Sequence, residues 1–280
     1  MGRFLDSLGF PNDTRFSYMD LHLQLFECGQ SIRTSAGIYF LWEPGEGVEI
    51  WSKLRPNEEI SYLRPYFSGS ARMEVALVET KGYDEGKNIL ADGFFIAYPK
   101  PQKGVGFVSD HKALQYGDGT YSSYLPFLFD VPDYDRYAGL MLPALMNVQL
   151  TAFPLTMRAY ETEDDWVDEQ IEWDTSGEED PYIWTSEMFV PDLALFNRET
   201  PEQYPKPTAF MAGTVLETAI ITNQATGVDF SWAKIRTAAG EIDLVASAED
   251  LDGYLVTDGV AAGNFYLAGH LLDYELLNGE

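Results

Sequence analysis

Between Thr208 and Leu272 apolar residues alternate with polar ones, and turn residues interrupt them at short, regular intervals. A chain of this pattern can bury one continuous face only as extended strands. In VDFSWAKIRT one face collects Phe230, Trp232, Lys234 and Arg236, and the other Ala233 and Ile235. In EIDLVA, Ile242 and Leu244 alternate with Glu241 and Asp243. Keeping the core face continuous requires Ile235 opposite Ile242. That register sets Arg236 opposite Glu241 and Lys234 opposite Asp243, across a turn of Thr237 to Gly240. Such charge pairs contribute only ~0.2–1 kcal/mol each, but they mark the register.

Thr208 to Thr222 is too long for one flat strand, and Gly213 together with the phase of Phe210, Val215 and Ile221 predicts a bulge and a bend. Asn223 to Gly227 supplies a turn, Ala248 to Leu251 a single helical turn, and Val260 to Leu272 a returning strand with Phe265, Leu267 and Leu271 inward. The order of strand, strand, strand, short helix, strand resembles the OB-fold, a five-stranded Greek-key barrel. Four strands are clear and a fifth must come from elsewhere; SH3-like barrels share the pattern. The same alternation turns Phe230, Trp232 and Tyr266 outward, where an aromatic patch needs a cover. Trp166, Trp173 and Trp184 are the expected intramolecular cover, and a bound partner is the alternative.

Upstream, Ala36–Glu43, Val48–Trp51, Met73–Glu79, Gly93–Pro99 and Val105–Val108 read as strands separated by Gly- and Pro-containing turns, with a short helix near Asn57–Leu63. Leu21, Leu23 and Leu25 alternate, so Tyr18–Cys28 reads as a strand, although Leu21, Leu25 and Cys28 would also share a helix face. A proline-bounded aromatic run follows at Tyr124–Pro132, then a helical turn around Tyr134–Met141 and closing strands at Asn147–Phe153 and Met157–Tyr160. The fold class expected is mainly β, a β-rich α+β chain of two β domains: residues 1–160, an acidic connector at 161–206, and an OB-like barrel at 207–280.

The connector is the most biased stretch. From Glu161 to Lys206 it holds 15 acidic residues against Arg198 and Lys206, a charge of −13 out of −27 for the chain. Thr162 and Asp165 have capping-box spacing at the start of a helix running to about Glu172. Asp164, Asp168 and Glu172 then stack at i, i+4, where like charges repel by a few tenths of a kcal/mol per pair. Three tryptophans argue that the segment packs on the β structure, and Pro201, Pro205 and Pro207 end it.

A net charge of −27 repels phosphate backbones and anionic membranes, so neither nucleic acid nor membrane is an expected partner; a basic protein is. Cys28, the single cysteine, excludes an intramolecular disulfide, fits the cytoplasm, and reads as a buried small hydrophobe. His22, His111 and His270 are far apart and read as surface or strand histidines, so no metal site is expected. No GxSxG elbow is present, and GDGT at Gly117 to Thr120 lacks the lysine and glycines of a phosphate loop. Asp130, Asp133 and Asp135 in DVPDYDRY offer oxygens to calcium without the alternation of an EF-hand, and read as a solvated loop or helix cap.

With FLFDVPDY, then VQLTAFPLTMRAYETEDDW, then TNQATG, the segment from about Tyr124 to Leu272 is similar to a family of functionally uncharacterised bacterial proteins. That resemblance implies no activity. The residues themselves favour a cofactor-free binding protein over an enzyme. Its binding residues would be Phe230, Trp232 and Tyr266 on the barrel and Asp164, Asp168 and Glu172 on the acidic helix, with no catalytic set assigned. The alternative is a carboxylate-based hydrolase with its site between the two β domains. Gel retardation of duplex or single-stranded oligonucleotides at about 0.15 M salt is expected to show no binding, because counterion release needs clustered cations.

Overall fold

The computed structural model describes residues 3–11, 17–82, 93–99, 105–107, 114–116, 126–173, 183–192 and 206–274. Two helices, α1 (Arg3–Asp6) and α2 (Tyr18–Cys28), lead into β1 (Gln30–Thr34), β2 (Gly37–Gly45), β3 (Val48–Leu54) and β4 (Arg64–Phe67). These four strands form an antiparallel sheet in chain order. Then come β5 (Met73–Gly82), β6 (Gly93–Pro99), a hairpin of β7 (Val105–Phe107) and β8 (Leu114–Tyr116), β9 (Phe127–Asp130), and the long β10 (Ala144–Tyr160). Helix α3 (Glu163–Trp173) and β11 (Met188–Pro191) occupy the acidic stretch, before β12 (Thr208–Thr222), β13 (Asp229–Thr237), β14 (Gly240–Ala246) and β15 (Val260–Leu271). The protein is mainly β, and its second sheet has nine strands in mixed orientation.

That sheet is organised by one antiparallel ladder, in which Val148–Tyr160 of β10 faces Val260–Leu271 of β15. Thr151 pairs with Ala268 of β15 and also with Asp243 of β14, so β14 and β15 flank β10 on opposite edges. Farther along, β10 pairs with β5 through Ala144–Val148. The outer edge of β15 is taken by β12 along Val260–Tyr266 and by β9 at Ala268. Two cycles of pairing result, β10–β15–β12–β13–β14 and β10–β15–β9–β6–β5, and they share the ladder. The arrangement is ring-like, and one apolar cluster fills both rings, from Val75, Phe95 and Phe129 to Ile235, Ile242 and Phe265. Side chains on β10 alternate between Val148, Leu150 and Ala152 in this core and Phe153 on the outer face. Its middle is buried on both faces, and the outer face there also holds the buried polar side chains of Gln149 and Thr151.

The hairpin register expected from face matching is found: Ile235 opposite Ile242, Arg236 opposite Glu241, Lys234 opposite Asp243. The cations bind elsewhere, however. Lys234 pairs with Glu217 across the β12–β13 ladder and Arg236 with Glu187 at 2.7 Å. The expected bulge in β12 lies between Val215 and Glu217. Close by, a Cβ on Gly213 would meet Ile235 at 3.0 Å, so a glycine allows the bent strand to approach β13.

Other expectations are corrected. Tyr18–Cys28 is a helix, begun by a Ser17–Asp20 capping box and burying Leu21 and Leu25 while Leu23 stays half exposed; helical spacing, not alternation, governs its leucines. Cys28 at its end is exposed. No helix forms at 57–63. Pro56 and left-handed Glu58 (φ 64°) make a turn that brings Ile60 back to bridge Leu54. The segment after β14 is a turn closed by Asp250 N–H to Ser247 O (3.3 Å). The two strands expected on either side of Pro154 are one strand, because the proline falls at an irregularity of the β15 ladder, where its missing N–H is tolerated. The fifth strand, which the four of residues 207–280 had to take from elsewhere, is β10, from upstream of the acidic stretch, and strands from either side of that stretch share one sheet. The turns at 83–88, 100–104 and 117–120, His111 and the prolines at 201 and 205 lie outside the described residues.

A fragment of residues 205–280 would expose the facing edges of β14 and β15. Its thermal melt, followed by circular dichroism, is expected to be flat, whereas a fragment that melted cooperatively would show β10 to be dispensable.

Candidate functional site

Exposed carboxylates gather where α3 lies along the end of β10. Thr162 starts the helix: its Oγ1 accepts from Asp165 N–H at 3.1 Å, and its own N–H donates to Asp165 at 3.0 Å. Two inner positions, i and i+4, hold the helix down. Trp166 buries against Tyr160, Met188 and Val260. The Gln170 amide accepts from Trp184 N–H at 2.7 Å and donates to Trp184 O at 3.2 Å. With that stripe committed, the carboxylates must face outward.

Between helix and strand runs a groove of about 550 Å³, lined by Glu161, Asp165, Asp168, Glu169, Glu172 and Asp252, with Arg158 as its cation. Arg158 is held by Glu169 at 2.7 Å and Asp252 at 3.4 Å, and lies over the Tyr160 ring. Burial, reinforced by Glu169, raises the Tyr160 phenol, which stays protonated. Gly253, in left-handed conformation (φ 94°), brings the 252–253 loop onto β10; a Cβ there would stand 2.3 Å from Ala159 O. The groove therefore carries an excess of negative charge.

A second constellation is buried between the two sheets. Its centre is His270 of β15, with Nδ1 3.1 Å from Asp133 and Nε2 3.5 Å from Glu49 of β3. The rings of Tyr66 and Trp51 lie 4.1 and 5.5 Å away. Burial pushes the imidazole pKa down, but the charges of Asp133 and Glu49 beside it overcome this and bring the pKa to about 10, so His270 is a cation at neutral pH. Burial also acts to raise Asp133, yet His270, Arg136 and Tyr137 leave it below the usual carboxylate range. Around this centre Lys53 pairs with Asp135, and Arg64 with Asp130 at 3.5 Å. Asp243 is fully buried; burial raises its pKa against four donors, Trp232 Nε1, Gln149 Nε2 and the N–H groups of Ala71 and Ser70, at 2.7 to 3.2 Å. Gly69 makes that approach possible, since a Cβ would overlap the Asp243 carboxylate at 2.2 Å.

Of the binding residues expected from sequence, Asp168 and Glu172 line the groove and Asp164 is exposed on the same helix. Phe230, Trp232 and Tyr266 are indeed covered within the chain, but by α1 and the first sheet, alongside Phe67, Trp51 and Phe4. Trp166 packs on a different face and Trp184 is 45 % exposed; the Trp173 side chain lies outside the described residues. Asp130, Asp133 and Asp135 are not a solvated loop: each meets a different cation, and among the described residues no three His, Cys, Asp or Glu converge on a metal position. His270 escaped sequence reading as a site residue. The available signal was its phase, since alternation from Leu267 and Leu271 puts His270 and Tyr266 together on the outer face, where a buried histidine needs a carboxylate. Among the described residues no helix is long and apolar enough to cross a membrane. No family model matches the chain, and neither does any curated protein or solved structure.

The His270 pKa, raised from 6.5 to about 10, ties stability to pH: the contribution is complete below the unfolded value and is lost as pH rises through the folded one. Thermal melts from pH 7 to 10 are expected to fall by several degrees in the parent and to run flatter, from a lower start, in His270→Gln. Parallel curves for the two proteins would remove the imidazolium from the account.

Proposed function

We propose that this chain is a non-catalytic cytoplasmic binding protein whose acidic groove receives a Lys/Arg-rich segment of a protein partner, on a C-terminal ring that is OB-like and completed by β10. The observation that carries the reading is the groove itself, lined by six carboxylates and one already engaged guanidinium. Such a surface attracts cationic segments over a Debye length, ~8–10 Å at physiological salt, and repels anionic ones. Half-exposed Trp184, tied to the inner face of α3 through Gln170, adds an aromatic surface beside the helix.

A carboxylate-based hydrolase acting between the sheets is the less supported reading. Its carboxylates would be Asp130, Asp133 and Asp135, and each is engaged by Arg64, His270 or Lys53. Asp133 is held ionised rather than poised as an acid.

Titration with a Lys/Arg-rich peptide, followed by calorimetry, is expected to show saturable binding that weakens about tenfold between about 0.05 and 0.3 M salt. The double variant Asp168→Lys with Glu172→Lys should lose at least about tenfold in affinity with little change in melting temperature, because both residues are exposed. Unchanged affinity in that variant would rule the groove out as the site.

A further inference from the structure

Residues 3–11 belong to neither sheet, yet most of them are interior. Leu5, Leu8 and Phe10 are buried, Phe10 lies 6.0 Å from the Trp42 ring, and Phe4 lies between Phe153 at 5.4 Å and Tyr266 at 4.7 Å. They fill a groove whose floor is the outer aromatic face of the rings and whose wall is the first sheet. The segment largely satisfies its own backbone, through Leu8 N–H and Phe10 N–H to Leu5 O and Gly9 N–H to Asp6 O, all 3.0 Å. The turn between β12 and β13 grips it from outside. Asn223 Nδ2 donates to Leu8 O at 2.7 Å and Thr226 Oγ1 to Gly9 O at 2.6 Å. Side-chain pockets plus directed bonds to peptide carbonyls are how a groove holds a peptide.

The fit is selective. Gly9 has φ 76°, and a Cβ on it would stand 2.7 Å from Val228 O and 3.0 Å from Asn223 Cβ. The groove thus asks for Phe, Leu, Leu, a left-handed glycine and Phe at the spacing of residues 4 to 10, which is this chain's own sequence. We propose that residues 3–11 are an exchangeable arm and that the groove accepts the arm of a second copy of this chain. Exchange keeps the contacts between residues 3–11 and the groove and alters only which copy supplies them. This surface is separate from the acidic groove and does not depend on the function proposed for it.

The test uses the full chain with a protease site replacing residues 12–16, cleaved after folding and mixed with a fluorescein-labelled peptide of residues 1–11. Anisotropy should rise to saturation, unlabelled peptide should compete, and Gly9→Val or Phe10→Ala peptides should bind at least about tenfold more weakly. Uncleaved copies bearing two different tags, mixed at high concentration, should co-purify, and free arm peptide should suppress this. Unfolding of the cleaved chain would overturn the proposal by making the arm a fixed part of the core. No peptide uptake by a cleaved chain with intact near-ultraviolet circular dichroism would overturn it too, as would tagged copies that never co-purify.

Discussion

The antiparallel ladder between β10 and β15 is the contact on which the remaining structure depends. Each of its two outer edges carries two further strands in succession, and both rings of pairing close through it. The requirement shows in the residues: Ala261, Ala262, Gly263, Ala268 and Gly269 keep β15 thin where neighbours crowd both faces. A Cβ on Gly263 would stand 2.0 Å from Thr156 O, and one on Gly269 would press on Leu150 and Phe129 at 2.6 and 2.8 Å. Small residues in this strand are therefore a packing condition, not a weakness of it.

Against this apolar seam the first sheet is joined in a different chemical manner. It contributes Phe67, Ile50 and Tyr66 to a shared cluster, but threads Glu49, Lys53 and Arg64 into the same interface, each facing a charge on the opposite side. Buried ion pairs add little net stability once desolvation is counted, whereas removal of one partner costs about 3–5 kcal/mol, a large share of the ~5–15 kcal/mol total of a typical domain. Such a layer fixes where one sheet rests on the other, because a slip of one residue would strand a charge.

How far the sequence disclosed this depended on the range of each interaction. The β13–β14 register, the inward phase of Phe265 and Leu267, and the Thr162 cap of α3 were legible, because two or three residues within one element decide them. The leucines of α2 satisfied both periodicities, and the Ser17–Asp20 cap that settles the matter lay just outside the apolar pattern. Pro154 looked like a break because its tolerance comes from a ladder irregularity visible only with β15 in place. Glu49, Asp133 and His270 gave no motif at all: they meet across 84 and 137 residues of chain, and no local spacing encodes that encounter. The acidic groove was half legible, since α3 showed Asp168 and Glu172 while Asp252 and Arg158 arrive from other elements.

The place of β15 in both rings bears on how the chain is made. It follows the other described strands in sequence order, and neither ring can close until it has been synthesised. The earlier strands, from Met73 onward, must wait through synthesis of some two hundred residues with open edges and unburied apolar faces. Closure of both rings is thereby deferred until β15 has emerged, and pairing at such separation is slow. The dense negative charge encoded between β10 and β12 emerges during that interval, and mutual repulsion there discourages nascent chains from adding strands to one another.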